Sequence, residues 1–402
     1  MPALFVAVVF AQLGTAFPVS GASYATASRL VSPLVAFVTA WVLVLALLLF
    51  AMPLMAAGFA IYTMQLVPPG AMEPGRRDLV MLALALSSVA FFTLLNLARI
   101  RWMMWVQSVL TVMAIAALLV FGAGGILFGE VSNTRPLFPG GPWPILAAVV
   151  PAYIMYSGVN AITEMGGETA DPGRTIPRIM GISIAILVVV YSAITYAIVA
   201  LLPYRTLAEG SVTDAAAVFM GRGPAIAVMA TGAVCAAVTT MNGVIAFISR
   251  DIMQIARQGA LPAGLARVSE RSGTPARAVL VVGAISAAGL VLLAILGEKS
   301  AVRVASVVSQ GFMLMSILAS VAILRLPRVF PERYAAAGFR LRSPYLEIFT
   351  IGTIVIFSTL LVIGWIQDPA TLLAFGILVA TGLAYHLVRR PRRVPADTPL
   401  DE

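Results

Sequence analysis

The chain has 402 residues, of which 60% are hydrophobic and 11% charged, with a mean hydropathy of +0.99 and a net charge of +9. About a quarter of an ordinary soluble domain is charged, so a soluble globule is excluded. The 26 basic residues are spread over many short loops, which argues against a nucleic-acid-binding face, and one cysteine (Cys235) with one histidine (His386) allows neither an internal disulfide nor a Cys/His zinc cluster.

Apolar runs of about 20 residues recur from end to end, each long enough for a hydrocarbon core about 30 Å thick. The first, at 3–17, is short and ends in the break Phe17-Pro18-Val19-Ser20-Gly21. No basic flank precedes it, so it does not read as a signal peptide. The second, at 35–67, has no charged turn to divide it and spans about 50 Å as helix, which predicts one long tilted segment bent at Pro53. Further runs follow at 79–98, 102–129, 145–166, 179–202, 223–249, 278–297, 304–324, 347–366 and 369–388, giving eleven candidate crossings of an all-α, polytopic membrane protein. Gly122, Gly124 and Gly125 in the fourth run suit close helix contact. The longest polar stretch, about 250–277, reads as a loop, and the segment 206–220 holds room for a short outer helix. Residues 1–390 form one transmembrane domain, and 391–402 read as a disordered tail.

Loop charge orients the chain. Arg76, Arg77, Arg135, Arg205, Arg222, Lys299 and Arg303 fall on one side, and every other basic residue falls on the opposite one. The positive-inside rule then places the C-terminus in the cytoplasm, in the plasma (cytoplasmic) membrane. With eleven spans the N-terminus lies outside, which is the pattern expected when a first transmembrane helix and part of a second precede this sequence. A true eleven-span protein is the alternative.

One run departs from smooth apolar helix. From Pro151 to Arg178 the chain carries Pro151, the pair Ser157-Gly158 and the pair Gly166-Gly167, each of which weakens helix. In lipid that is tolerated only where the freed backbone lines a protected cavity. The spacing predicts a helix interrupted at mid-membrane, whose exposed carbonyls and amides hold an ammonium and a carboxylate without any buried charge. Glu164 is an acid well inside the span, read either as a proton carrier, as part of an inner gate, or as a hydrogen-bonded interfacial group. Glu168, Asp171, Arg174 and Arg178 mix both signs at the end of the segment, as ion pairs of a gate or as a solvated loop.

This stretch resembles the amino acid–polyamine–organocation (APC) permeases, whose sixth helix ends in a related pattern. Gly158, Glu168, Asp171-Pro172, Arg174 and Ile176-Pro177-Arg178 occupy its positions, with Asp171 where Asn is commoner. Pro18-Val-Ser20-Gly21-Ala-Ser-Tyr24 is similar to the loop between the family's second and third helices. Ser249-Arg250, Ala256-Arg257-Gln258-Gly259-Ala-Leu261-Pro262 and Gly273-Thr274-Pro275 resemble its eighth helix and exit loop, with Gln258 in place of the usual Asp. The resemblance runs from Ala3 to about Arg390 and implies a LeuT-like five-plus-five inverted repeat, of which helices two to twelve are present and the first helix is missing. It implies a secondary active transporter, not an enzyme, that moves an amino acid or related amine by alternating access. Tyr156, Ser157, Gly158 and Asn160 match the family's substrate-binding unwound segment. Glu164, Glu168 and Arg174 fall where gating or proton coupling is expected. Thr239 and Thr240 lie near the hydroxyl ligands of sodium-coupled relatives, against the alternative that they bond back to their own helix. No lysine stands in the fifth helix, so coupling to protons rests on Glu164, with exchange as the other mode. No cofactor, metal or nucleic acid is implied, and the sequence leaves the oligomeric state open. A channel, a membrane-embedded enzyme and an inactive permease fragment are the competing readings. A channel lacks an acidic ring or filter motif here, and an enzyme lacks a clustered nucleophile and base.

Overall fold

In hydrocarbon each backbone N–H and C=O must bond within its own segment, so uncharged runs of this length become helices. The computed structural model describes residues 2–389 except 20, 69, 99, 137–140, 142, 204, 205, 208, 209, 271 and 297–300; Ser20 of the first loop motif and the tail 391–402 lie outside the described residues. Among the described residues the protein is all-helical. Ten helices are long and apolar enough to cross a membrane, and the shorter apolar helix α1 (Pro2–Ala16) accounts for the eleventh run.

α1 is followed by α2 (Ala22–Leu30) and by the long second run, which forms α3 (Pro33–Ala46), a π-helical turn at Leu47–Ala51 and α4 (Met52–Met64). The π turn comes just before Pro53. Proline has no N–H for the carbonyl four residues back, and the wider turn, in which the Met52 N–H reaches Leu47 O, absorbs the misfit without opening the helix. α5 (Pro74–Leu95) and α6 (Ile100–Phe128) come next. They present Leu79, Phe91, Leu94, Trp102, Trp105, Leu119 and Leu127 outward, an apolar exterior suited to lipid. α9 (Pro172–Leu201) packs along α6, where a Cβ at Gly125 would collide with Ala197; Gly124 likewise admits the ring of Phe219, whereas Gly122 meets only an ordinary contact.

Past the short helix α10 (Val212–Met220), α11 (Arg222–Arg257) runs 36 residues. The apolar run ends at 249, which assigns Arg250 to a loop. The helix instead continues for two more turns because Ile252, Met253, Ile255 and Ala256 are buried against its neighbours. α12 (Ala276–Leu296), α13 (Ala301–Val329), the short α14 (Pro331–Ala336), α15 (Tyr345–Gln367) and α16 (Pro369–Arg389) complete the chain. α13 is the buried axis. Its inward Gln310 is bonded at both ends of its amide, receiving the indole N–H of Trp365 at 3.1 Å and donating to Thr371 at 3.0 Å, while Ser306, Ser316 and Ser320 bond back one turn.

Contacts gather five segments at one end of the bundle. Thr15 donates to Phe339 O, Phe17 meets the Phe330 ring edge-on, the amide of Gly21 bonds Glu164 O, Gly173 abuts Gly338, and Arg250 reaches Glu168. The opposite end carries the ion pair of Arg303 and Asp368 at 2.7 Å.

Candidate functional site

The run from 143 to 168 is held open as a sequence of short pieces: α7 (Trp143–Ala152), a 3-10 turn at Tyr153–Tyr156, an unwound link, α8 (Ala161–Glu164) and a second 3-10 turn at Gly166–Glu168. Ser157 is extended (φ −67°, ψ 131°) and Gly158 has φ 111°, a conformation that a side chain would strain. The Ser157 hydroxyl donates to Ile154 O at 2.6 Å, capping the turn before the break. Among the described residues the amides of Gly158, Val159 and Asn160 make no backbone hydrogen bond. The predicted mid-span interruption is therefore present at the predicted residues.

The break faces a cavity of about 920 Å³ between α4, α6, α11 and α13. Ser157 and Gly158 line it, together with Gln107, Tyr191, Thr239, Thr240, Asn242 and a wall that includes Met55, Met103, Met104, Met155 and Met165. Among the described residues no charged side chain lines this space. Tyr156 and Asn160 do not line it. A 3-10 turn advances 120° per residue instead of 100°, so Tyr156 rotates off the cavity face and packs edge-on against Tyr191, ring centroids 5.4 Å apart. Asn160 faces the other side, into a small cavity beneath.

Polar groups of the cavity wall are largely committed. Thr239 and Thr240 both donate to Ala236 O at 2.9 Å, the back-bonded geometry. Behind them runs an amide chain. Asn96 donates to Asn242 at 2.8 Å, Asn242 to Gln107 at 2.8 Å, and Gln107 to Thr239 O at 3.2 Å, which ties α5, α6 and α11 together. Asn96 was missed by sequence reasoning, and a buried amide at a helix end is its one signal. Cys235 is buried, and no group of metal-ligating side chains occurs among the described residues.

Below the break, Glu164 is 3% exposed. Its carboxyl accepts the backbone N–H of Ser23 at 3.2 Å and the Ser23 hydroxyl, both from the start of α2. Glu168 then forms a two-pronged ion pair with Arg250 of α11, Nη2 lying 2.8 Å from Oε2, and Arg250 Nη1 also donates to Ala246 O at 2.7 Å. The Arg250 side chain is 4% exposed and that of Glu168 is 36% exposed. Arg174, the cation nearest Glu168 in sequence, is exposed on α9 and forms no ion pair among the described residues. Asp171, the N-cap of α9, holds φ 45°, ψ 62° between Glu168 and Arg174.

An interrupted helix of this form, in an all-helical membrane protein, has its counterpart in sequence. The amino acid permease family matches residues 1–382. The chain belongs to the amino acid permease family. It is an integral membrane protein of a transporter family. The permease is 25% identical over 392 residues to the methylthioribose transporter of Bacillus subtilis (strain 168), covering 95% of this chain and 82% of that one. It is 28% identical over 284 residues to the Asc-type amino acid transporter 1 of Mus musculus, covering 68% of this chain and 52% of the relative. It is 28% identical over 233 residues to the vacuolar cationic amino acid transporter 4 of Arabidopsis thaliana, covering 56% and 38%. The chain thus spans about half or less of the length of the last two relatives.

Proposed function

We propose that the permease carries a small neutral amino acid across the membrane by alternating access, as a secondary active transporter. The observation that supports this most directly is the break at Ser157-Gly158, opening onto a large cavity whose described lining holds no charged side chain. There the unpaired amides of Gly158, Val159 and Asn160 and the neighbouring carbonyls meet a zwitterion's two charges with peptide dipoles alone. A cationic amino acid would leave a side-chain charge without a partner in that wall. Tyr191, whose hydroxyl donates to Met155 O at 3.1 Å, fixes the chain on the outer side of the break. Glu168, with Arg250 as its partner, forms the closing contact at the arginine-rich end, which is the cytoplasmic end of the plasma-membrane protein in this reading, and Arg174 lies on the rim. Driving force comes from a proton or from exchange, with Glu164 as the coupling acid. The hydroxyls of Thr239 and Thr240, already given to Ala236 O, offer little to sodium.

A second reading has a specific support. The uncharged wall rich in methionine also suits an uncharged thioether sugar, and the relative named as a methylthioribose transporter covers most of this chain. Uptake by proteoliposomes decides between them, with labelled L-alanine, L-serine, L-leucine, L-arginine and methylthioribose offered with and without a pH gradient. Saturable, exchangeable uptake of a neutral amino acid with exclusion of L-arginine is the expected result. Methylthioribose uptake alone establishes the second reading, and flux that never saturates establishes a channel.

A further inference from the structure

Beneath the break lies a second, separate cavity of about 10 Å³, about the room of one water molecule. Glu164 and Asp251 line it from two different elements, α8 and α11. Asp251 is 9% exposed, and its buried Oδ1 has no hydrogen-bond partner among the described residues. The two carboxyl groups therefore lie against one another across a space with room for a single water molecule. Two carboxylates have no hydrogen to share, so this contact is attractive only when one of them carries a proton. Ser23 already serves Glu164 through its N–H and hydroxyl. The remaining groups that face the pair are Tyr24 of α2, Asn160 of the unwound link, and Arg250, which is bound to Glu168; α3 and α13 contribute only Ala40, Leu43 and Met315 among the described residues. The space is too small for a hydrated cation.

We propose that Glu164 and Asp251 together bind the single proton that couples to transport, with Asp251 the partner that makes Glu164 a proton site. This rests on the transporter reading above and names the ion and its second ligand. Loading forms one O–H bond at the pair from a proton delivered by water on one side of the membrane, and release returns that proton to water on the other. With the proton present the pair fastens α8 to α11. Without it two like charges face each other in a closed space, which drives α8 from α11 just before the 3-10 turn that the Glu168–Arg250 pair fastens to the same helix. Phe247 is the one described residue lining both this cavity and the larger one, so a substrate in the larger cavity presses on the wall of the proton site.

Infrared difference spectra of the purified native protein, recorded across a pH titration, test this without any substrate. A protonated-carboxyl C=O band that sharpens or moves in D2O and disappears on raising pH is expected. It should be lost in both Glu164→Gln and Asp251→Asn, and in proteoliposomes both variants should lose the response of labelled L-alanine uptake to a pH gradient. The native titration stands alone should either variant fail to fold. No titrating carboxyl band in the native protein, a band that survives both substitutions, or a band that responds to sodium at fixed pH overturns the proposal. A native protein that shows the band but takes up no amino acid overturns the proposed substrate class and leaves the proton site intact.

Discussion

Two long apolar runs contain an inward proline, and they end in opposite states. At Pro53 the helix widens by one π turn and continues, whereas after Pro151 it passes through a 3-10 turn and comes apart. Proline removes one hydrogen bond in each case. The difference lies in the residues downstream of each proline. Pro53 is succeeded by Leu54-Met55-Ala56, which resume helix at once, while Pro151 is followed within seven residues by Ser157-Gly158, which take an extended and a positive-φ conformation. Around Pro53 the helix is widened by a π turn, and after Pro151 a serine–glycine pair opens it. The surroundings differ in the same sense. The π turn is clasped by apolar packing, with Gly289 of α12 against the backbone of Leu49. The pieces after the break are tied by polar fasteners, Ser23 to Glu164 and Arg250 to Glu168.

That contrast predicts where each region fails. The largest effect belongs to Arg250→Ala, which strands Glu168 and frees the end of the broken segment. Loss of one partner of a largely buried, two-pronged pair costs about 3 kcal/mol, reduced here because Glu168 is partly in water. Hydrogen exchange should rise at 161–175 and stay unchanged at 33–64; equal loosening of both regions would refute the polar-fastener account. Next come two glycine substitutions that separate packing from backbone. Gly289→Ala places a Cβ 2.8 Å from Leu49 Cα and should cost about 1–3 kcal/mol by overpacking. Gly158→Ala meets nothing within 4 Å, so its comparable cost of about 1–2 kcal/mol is purely conformational. Thermal melting should show both losses. Only Gly158→Ala should also depress uptake, by about tenfold or more, because it alone pulls the break toward helix.

These expectations also mark what a sequence can tell. The break was legible because Ser157 and Gly158 announce their backbone preferences locally, and the spans were legible because hydrocarbon demands length and apolarity. Three features were not. Arg250 falls at the start of the longest polar stretch in the sequence, because burial of the last turns of α11 is a tertiary fact. Tyr156 left the predicted face because a 3-10 turn shifts the register of everything it carries. Asp251 gave no signal at all, since its significance depends on meeting Glu164 from a distant part of the chain.

A control lies on neither region. Ser211 and Asp214 form a reciprocal cap at the start of α10, Ser211 Oγ and N both within 2.8 Å of Asp214 Oδ2. The two Ser211 hydrogen bonds hold the Asp214 carboxyl below its ordinary value. Because the folded value is the lower one, the stabilisation is present above the ordinary carboxylate range, near about 4, and disappears as pH falls through the lowered value. Ser211→Ala should cost about 1 kcal/mol at neutral pH and much less in acid, seen as faster amide exchange confined to α10. Exchange that spread into 143–168 would mean that α10 braces the break.

The smallest effect concerns the turn that closes the broken segment. Asp171 is the one non-glycine residue among the described residues with positive φ, and its carbonyl accepts the Thr175 N–H at 2.9 Å as α9 begins. A left-handed conformation costs an ordinary side chain about 1–2 kcal/mol, and Asp, which tolerates it better than most, retains part of that cost. Asp171→Gly removes the strain but adds freedom to the unfolded chain, so a net gain of about 0.5 kcal/mol is expected. If the strain is merely local, melting rises and uptake stays the same. If instead the strained turn stores energy that helps α8 leave α11, the variant gains stability and loses rate together, and the Asp171 end of the segment joins Gly158 as a place where this helix is kept from closing.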